Sequence, residues 1–198
     1  MATTRIATRF SATLPDWLKA ELPDLPKTLP THEDRVRLVN LLADRNHREG
    51  NGGPFAAIVV DSGTGALVSV GVNVVLSSGV SSMHAEVMAL SLAQARIGTW
   101  DLSADAGRSL EVVVNWRPCA MCYGAVLWSG VRSLVIAGSG PECETLTGFD
   151  EGPLPLDWRS QLEGRGVAVT DGVLRDEAIA VFAAYGSSDA VVYNARRG

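Results

Sequence analysis

Two short stretches decide how this chain folds: His84-Ala85-Glu86 and Pro118-Cys119-Ala120-Met121-Cys122. One histidine and two cysteines supply a nitrogen and two sulfurs, which are ligand atoms that Zn2+ prefers. Three protein ligands leave the fourth tetrahedral position for water, as in catalytic rather than closed structural zinc sites. We therefore predict that His84, Cys119 and Cys122 bind one zinc ion. Glu86 would transfer the proton of that water.

The spacing of these residues predicts where the metal lies. Pro118 suits the first position of a helix, so Cys119 and Cys122 are expected on one side of its opening turn. The positive end of the helix dipole there favours thiolate. His84 and Glu86 are two residues apart and would point to different sides of a continuous helix. We therefore expect the metal over the beginning of a helix, with two helix N-termini facing it.

Length and composition predict one main domain and a small substrate. The chain has 198 residues, of which 46% are hydrophobic and 20% charged, enough for a single well-buried core. A net charge of −5 argues against a nucleic-acid partner. Two of the three cysteines lie in the Cys-x-x-Cys, which favours a reducing compartment, the cytoplasm. The uncharged run over residues 62–85 is broken by glycines and serines, so it predicts paired strands and not a membrane span.

The hydrophobic pattern alternates between helices and strands. We expect an N-terminal arm over residues 1–30, the main domain over residues 31–185 and a C-terminal tail over residues 186–198. Helices are predicted over residues 31–47, 83–96, 118–128, 157–163 and 175–185, and strands over residues 55–60, 66–75, 110–115, 132–137 and 167–170. Strands separated by helix-length crossovers imply a three-layer α/β/α arrangement, with a mixed five-stranded sheet and helices on both faces.

The pattern also predicts three local details. The first helix should begin with a capping box between Thr31 and Asp34, and the histidines near its ends, His32 and His47, are expected at the surface. The segment over residues 138–155 is rich in glycine and acids and is expected to be a loop.

The zinc-ligand pattern, His-x-Glu followed by Pro-Cys-x-x-Cys, is typical of zinc deaminases. Together with three further stretches it resembles the cytidine/deoxycytidylate deaminase superfamily, and more narrowly its guanine deaminase branch. The further stretches are residues 52–61 (GGPFAAIVVD), Gly71-Val72-Asn73 and Gly148-Phe149-Asp150-Glu151. The resemblance covers about residues 51–155 and implies the cytidine deaminase-like fold.

The resemblance also implies a reaction, the hydrolysis of guanine at C2 to xanthine and ammonia. Glu86 would carry the water proton to a ring nitrogen and then to the leaving amine. Asn73 would hydrogen-bond the base. Asp150, or else Glu151, would accept from its N1–H and exocyclic amine, and such buried acceptors discriminate strongly between bases.

Further residues are implied at the edges of the site. Phe55, Trp116 and Phe149 are candidates for packing against the purine faces. In related guanine deaminases the C-terminal segment covers an active site, often that of a partner subunit, so Tyr193 is a candidate lid residue and a homodimer is expected. Arg117 stands where the branch usually has a glutamate.

Other functions remain open. The same motifs occur in deaminases of tRNA adenosine, but those need a basic face, and the only lysines here are Lys19 and Lys27. Guanosine, cytosine and an aminotriazine such as ammeline are alternative substrates. Outside the enzymes, the alternative is a zinc-stabilised binding module in which Cys143 supplies a fourth ligand and closes the site.

Overall fold

A computed structural model describes residues 6–194 of the protein. Helices and strands follow one another in that part of the chain as α1 (Asp16–Glu21), α2 (His32–Arg48), β1 (Ala56–Asp61), β2 (Leu67–Val72), α3 (Val75–Ser78), α4 (Ala85–Ile97), β3 (Leu110–Val114), α5 (Ala120–Ser129), β4 (Ser133–Ile136), α6 (Glu142–Thr147), α7 (Trp158–Glu163), β5 (Ala168–Thr170) and α8 (Arg175–Gly186).

The strands form one mixed five-stranded sheet in the order β2-β1-β3-β4-β5. β1 is antiparallel to both β2 and β3, and β2 follows it as a hairpin. β3, β4 and β5 run parallel, and helices connect them because parallel neighbours need a crossover. The carboxyl ends of β3 and β4 therefore lie at one edge of the sheet, where the connections to α5 and α6 begin.

Helices cover the sheet on both faces, because successive side chains of a strand point to opposite sides. In β1, Ile58 and Val60 pack in the hydrophobic cluster that includes residues of α2 and α8. Ala57 and Val59 pack in the cluster that includes residues of α4, α5 and α7. All four β1 residues are fully buried. The predicted three-layer α/β/α fold is confirmed.

The capping box of α2 is present as predicted. The Thr31 hydroxyl accepts a hydrogen bond from Asp34 N–H at 3.1 Å, and the Asp34 carboxylate accepts one from Thr31 N–H at 3.2 Å. This reciprocal pair satisfies two backbone donors that the first turn of a helix leaves unpaired. The buried face that follows includes Val36, Val39 and Leu42.

Three expectations were wrong. The segment after β4 is not all loop, because α6 forms between Pro141 and a left-handed Gly148. α5 begins at Ala120 and not at Pro118, since Cys119 has the extended backbone of an N-cap residue. The side chain of His47 is only 5% exposed and lies edge-on against Tyr185 with ring centroids 5.4 Å apart.

The short helices α1 and α3 were not predicted. α1 lies within the predicted arm, and its Leu18 is fully buried. The division into arm, domain and tail stays a prediction, and residues 1–5 and 195–198 lie outside the described part. None of the helices described between residues 6 and 194 is long and apolar enough to cross a membrane.

Candidate active site

The predicted zinc ligands meet where two helices begin. His84 is the N-cap residue of α4 and Cys119 is the N-cap residue of α5, with Cys122 in the first turn of α5. Their ligand atoms all lie within 4.8 Å of one another, and His84 Nδ1 is 3.5 Å from Cys119 Sγ. Two helix N-termini therefore face one point, as the spacing predicted.

These residues fit a zinc ion. One imidazole and two thiols match its preference for nitrogen and sulfur, and the group that the described residues form contains three ligands and no fourth. Cys143 is not in the group. It is 1% exposed within the hydrophobic core, where burial raises the pKa of its thiol. The arrangement thus matches an open catalytic site, and the alternative in which Cys143 closes the site has no support.

The three ligand side chains interact electrostatically with one another, and their pKa values are shifted. A hydrogen bond from the Cys122 thiol is the main cause that lowers the pKa of Cys119 to about 4, with His84 as a further cause. The same shared proton raises the pKa of Cys122. Contact with Cys119 and the nearby Glu86 carboxylate raise the pKa of His84, although burial opposes this. A dication at this point would stabilise both thiolates.

Glu86 lies beside this group in the first turn of α4. It is 6% exposed, and burial is the main cause that raises its pKa, followed by the negative charge of Cys119. A raised pKa brings the protonated and ionised forms closer in free energy, which a residue that takes up and then releases a proton requires.

A cavity of about 850 Å3 opens at the metal-binding group. It brings together ten of the eleven residues predicted from the sequence, all but Cys122: His84, Glu86, Cys119, Asn73, Asp150, Glu151, Phe55, Trp116, Phe149 and Tyr193. The residues come from six separate stretches of the sequence, so the sheet edge and the tail assemble the site.

Both candidate acids line the cavity, in different surroundings. Asp150 is exposed, and its Oδ1 accepts from Gly152 N–H at 3.0 Å. Glu151 is partly buried and is tied to α5 by the hydrogen bond from Ala120 N–H to its carbonyl. Burial, with the nearby charges of Cys119 and Glu86 as further causes, raises the pKa of Glu151 to about 8. Glu151 is therefore the more buried of the two acids.

Asn73 is 1% exposed and is held from several sides. Its Oδ1 accepts from Val75 N–H at 3.1 Å and from the Tyr193 hydroxyl at 2.7 Å. Its carbonyl accepts from Asn46 Nδ2 at 2.8 Å, and the same amide group of Asn46 donates to Gly53 O at 3.1 Å. Asn46 was not among the residues predicted from the sequence. The signal was a polar residue on the buried face of α2, where burial requires hydrogen-bond partners.

The aromatic candidates pack against one another as well as lining the cavity. Phe149 contacts Phe55 and Tyr193, with ring centroids 5.6 Å and 4.8 Å apart. Trp116 lies edge-on to the buried Phe182 at 5.2 Å. Each of the three rings thus contacts another aromatic ring as well as lining the cavity.

Residues 191–194, within the predicted tail, line the cavity of their own chain. These residues are Val191, Val192, Tyr193 and Asn194. Asn194 pairs with the 148–150 loop: its Nδ2 donates to Gly148 O at 2.8 Å, and its Oδ1 accepts from Asp150 N–H at 2.9 Å. The Tyr185 hydroxyl donates to Val191 O at 2.7 Å.

Arg117 also lines the cavity. Its backbone N–H donates to Gly138 O at 2.8 Å, which ties the end of β3 to the end of β4. Its Nε is buried without a hydrogen-bond partner among the described residues.

Comparison with known sequences agrees with this geometry. Residues 29–138 match the family described as the cytidine and deoxycytidylate deaminase zinc-binding region. The chain belongs to this deaminase family. The match includes both halves of the zinc motif and the sheet from β1 to β4.

Several relatives of this deaminase have known structures or activities. The structure of guanine deaminase from Nitrosomonas europaea is 42% identical, with a TM-score of 0.85 over 93% of this chain and 100% of that one. The protein NE0047 in complex with 2,6-diaminopurine is 45% identical, with a TM-score of 0.83 over 93% and 96% of the two chains. Guanine deaminase from Bacillus subtilis is 30% identical over 120 residues, which are 61% of this chain and 72% of that protein.

Proposed function

We propose that this deaminase converts guanine and water to xanthine and ammonia. The observation that carries the proposal is the position of Glu86, a buried carboxyl group beside an open set of three zinc ligands at the cavity. The 42% identity to a guanine deaminase over 93% of the chain supports the choice of base.

His84, Cys119 and Cys122 would hold one zinc ion per subunit. When bound, zinc supplies a Lewis acid that lowers the pKa of water at the open position, so that water becomes a nucleophile near neutral pH. Glu86 would accept one proton from the water that attacks C2 of the base and deliver it to a ring nitrogen. It would then take the second proton from the hydroxyl formed at C2 and pass it to the amine, which leaves as ammonia while C2 becomes a carbonyl.

The base is held by its edges and faces. Asn73 donates from Nδ2 to an acceptor of the base, while Glu151 or Asp150 accepts from N1–H and the exocyclic amine. Buried groups of this kind discriminate strongly, because a base that lacks the matching atom leaves a desolvated polar group unpaired. Phe55, Trp116 and Phe149 pack against the faces of the ring.

Guanosine is the second candidate substrate, since a cavity of about 850 Å3 has room for more than a purine ring. Arg117, with no salt bridge to the described acids and a buried unpaired Nε, would donate to an oxygen of the larger ligand.

We also propose that the protein is a cytoplasmic homodimer. α5 carries no charged side chain, yet Trp128 is 84% exposed and Met121 is 39% exposed on it. Exposed apolar surface of this kind favours association, and the proposed partner is a second copy of this chain. The two thiolates of the metal site favour a reducing compartment.

Ammonia release by the zinc-loaded protein, measured with guanine, guanosine, adenine, cytosine and ammeline, tests the proposal. We expect turnover of guanine, and a decrease in kcat of about 10²–10⁴-fold in Glu86→Gln at unchanged zinc content. Glu33→Gln makes the same chemical change at an exposed position of α2 and should leave kcat unchanged. Turnover of another amine alone would refute guanine as the substrate, and equal activity of Glu86→Gln would refute the mechanism.

A further inference from the structure

The hydroxyl of Tyr193 lies between the backbone of Gly53 and the side chain of Asn73. Gly53 N–H donates to the Tyr193 oxygen at 2.7 Å, and that oxygen is 2.7 Å from Asn73 Oδ1. A backbone N–H can only donate, so Gly53 occupies a lone pair of the hydroxyl. The single proton of Tyr193 is therefore directed at Asn73.

A second donor fixes the same amide oxygen. Val75 N–H lies 3.1 Å from Asn73 Oδ1, and since this group cannot accept, the atom it contacts must be the oxygen of the amide. The orientation of the Asn73 side chain thus follows from its partners. Both lone pairs of Oδ1 are used, while Nδ2 makes no hydrogen bond within residues 6–194. Nδ2 is the group left for the cavity.

The residues around these hydrogen bonds leave the Asn73 side chain little room to move. Asn46 Nδ2 donates to the carbonyls of both Gly53 and Asn73, so the two segments that Tyr193 joins are also joined from α2. Gly52 packs so closely against Asn73 that a Cβ there would overlap Oδ1 and the carbonyl oxygen. The direction of the Asn73 amide therefore depends on hydrogen bonding in a tightly packed place.

We infer that Tyr193 is a positioning residue that sets the hydrogen-bonding direction of Asn73 and thereby makes the cavity select bases with an acceptor facing Nδ2. The inference rests on the proposed function, in which Asn73 faces the base. A base with a donor at that edge would place an N–H group against the Asn73 NH2. Selectivity then depends on the position of the tail, because Tyr193 is a tail residue and contacts Asn73 only when the tail lies against the cavity.

The test compares guanine with three analogues that each lose one acceptor and keep the 2-amino group. 2,6-Diaminopurine replaces O6 by an amine and also lacks the proton on N1, 7-deazaguanine removes N7, and 3-deazaguanine removes N3. In the zinc-loaded wild type, we expect kcat/KM to fall for the analogue that lacks the atom facing Asn73. 3-Deazaguanine also lacks the ring nitrogen that would take up the proton, so its dissociation constant is compared with that of guanine instead. In Tyr193→Phe, the preference for guanine over that one analogue, measured as the ratio of their constants, should decrease by about three- to tenfold, as expected for one lost hydrogen bond.

Tyr185→Phe is the matched control. It also removes one hydroxyl that holds the tail, the donor to Val191 O, but this hydroxyl does not contact Asn73. We expect it to raise KM for all four bases by a common factor and to leave their ratios unchanged. The inference is overturned if Tyr193→Phe likewise scales all four bases by one factor.

The outcomes separate the inference from the proposed function. If the wild type does not turn over guanine, the proposed function fails, and the same ratios are then measured as dissociation constants by calorimetry. A selective change of those constants in Tyr193→Phe supports the inference without the reaction. Absence of binding by all four bases overturns both.

Discussion

His84 and Cys119 occupy the same structural position, each as the N-cap residue of its helix, and their side chains meet at 3.5 Å. Neither side chain caps its own helix, so both are free to bind a metal. The side chain of an N-cap residue usually accepts a hydrogen bond from an N–H group of the first turn, and both helices lack this stabilisation here. In return, the positive ends of two helix dipoles face the thiolates.

Removal of one ligand should abolish metal binding. We expect Cys119→Ser to reduce zinc from one ion per chain to a small fraction, because the hydroxyl of serine is not ionised at neutral pH and two ligands remain. Metal analysis after gel filtration measures the ratio. Cys143→Ser is the control at a buried cysteine outside the ligand group, and it should keep its zinc. Loss of zinc from Cys143→Ser would instead support the alternative in which Cys143 is the fourth ligand of a closed structural site.

The two neighbouring acids can be distinguished by the same change at each. We expect Glu151→Gln to lower kcat/KM for guanine by about 10- to 100-fold, because Glu151 is the more buried of the two acids that line the cavity and would accept hydrogen bonds from the base. Asp150→Asn should have a smaller effect, since Asp150 is exposed. Steady-state kinetics at equal zinc content decide the order. A larger loss in Asp150→Asn would make Asp150 the acid that reads the base.

His47 should make stability depend on pH in the acid range. Burial lowers its pKa in the folded state below the usual 6.5, so the unfolded state binds the proton more readily as pH falls. The free energy of unfolding is then unaffected by His47 above about pH 7 and decreases below the unfolded pKa.

His47→Gln tests this by removing the titration. Urea unfolding of zinc-loaded wild type and variant at pH 7.5, 6.5 and 5.5 should show a steeper loss for the wild type. Asp44 and Arg48 face the imidazole from the same helix, and both stay in the variant. Parallel curves for the two proteins would show that His47 does not titrate differently on folding.

The exposed face of α5 predicts the assembly. We expect Trp128→Asp to convert a dimer into single chains of 20.9 kDa, because it places a charge in an otherwise uncharged apolar interface. Sedimentation equilibrium measures the mass. Leu41→Asp changes a residue that is 63% exposed on α2, on the other face of the sheet, and should leave the dimer intact. A monomeric wild type, or a dimeric Trp128→Asp variant, would refute the proposed interface.

Features set by neighbours in the chain were predictable. The capping box of Thr31 and Asp34 and the strand predicted over residues 55–60 depend on residues a few positions apart. α6 was missed because its acids and glycines are typical of a loop, although Pro141 and Gly148 mark its ends as they do for many helices. His47 was placed at the surface because nothing in α2 indicates that Tyr185, from α8, covers it.

The sequence by itself determined the chemistry of the metal site. Ligand atoms are a property of residue type, and the spacing of His84, Glu86, Cys119 and Cys122 at two predicted helix starts already implied three ligands and a proton carrier. Only the tertiary structure decided how the cavity presents Asn73. Its amide is directed by Tyr193, 120 positions away, which in turn accepts from Gly53, 140 positions from it. A hydrogen bond has a direction that both partners set, and residues so distant in sequence become partners only when the chain has folded.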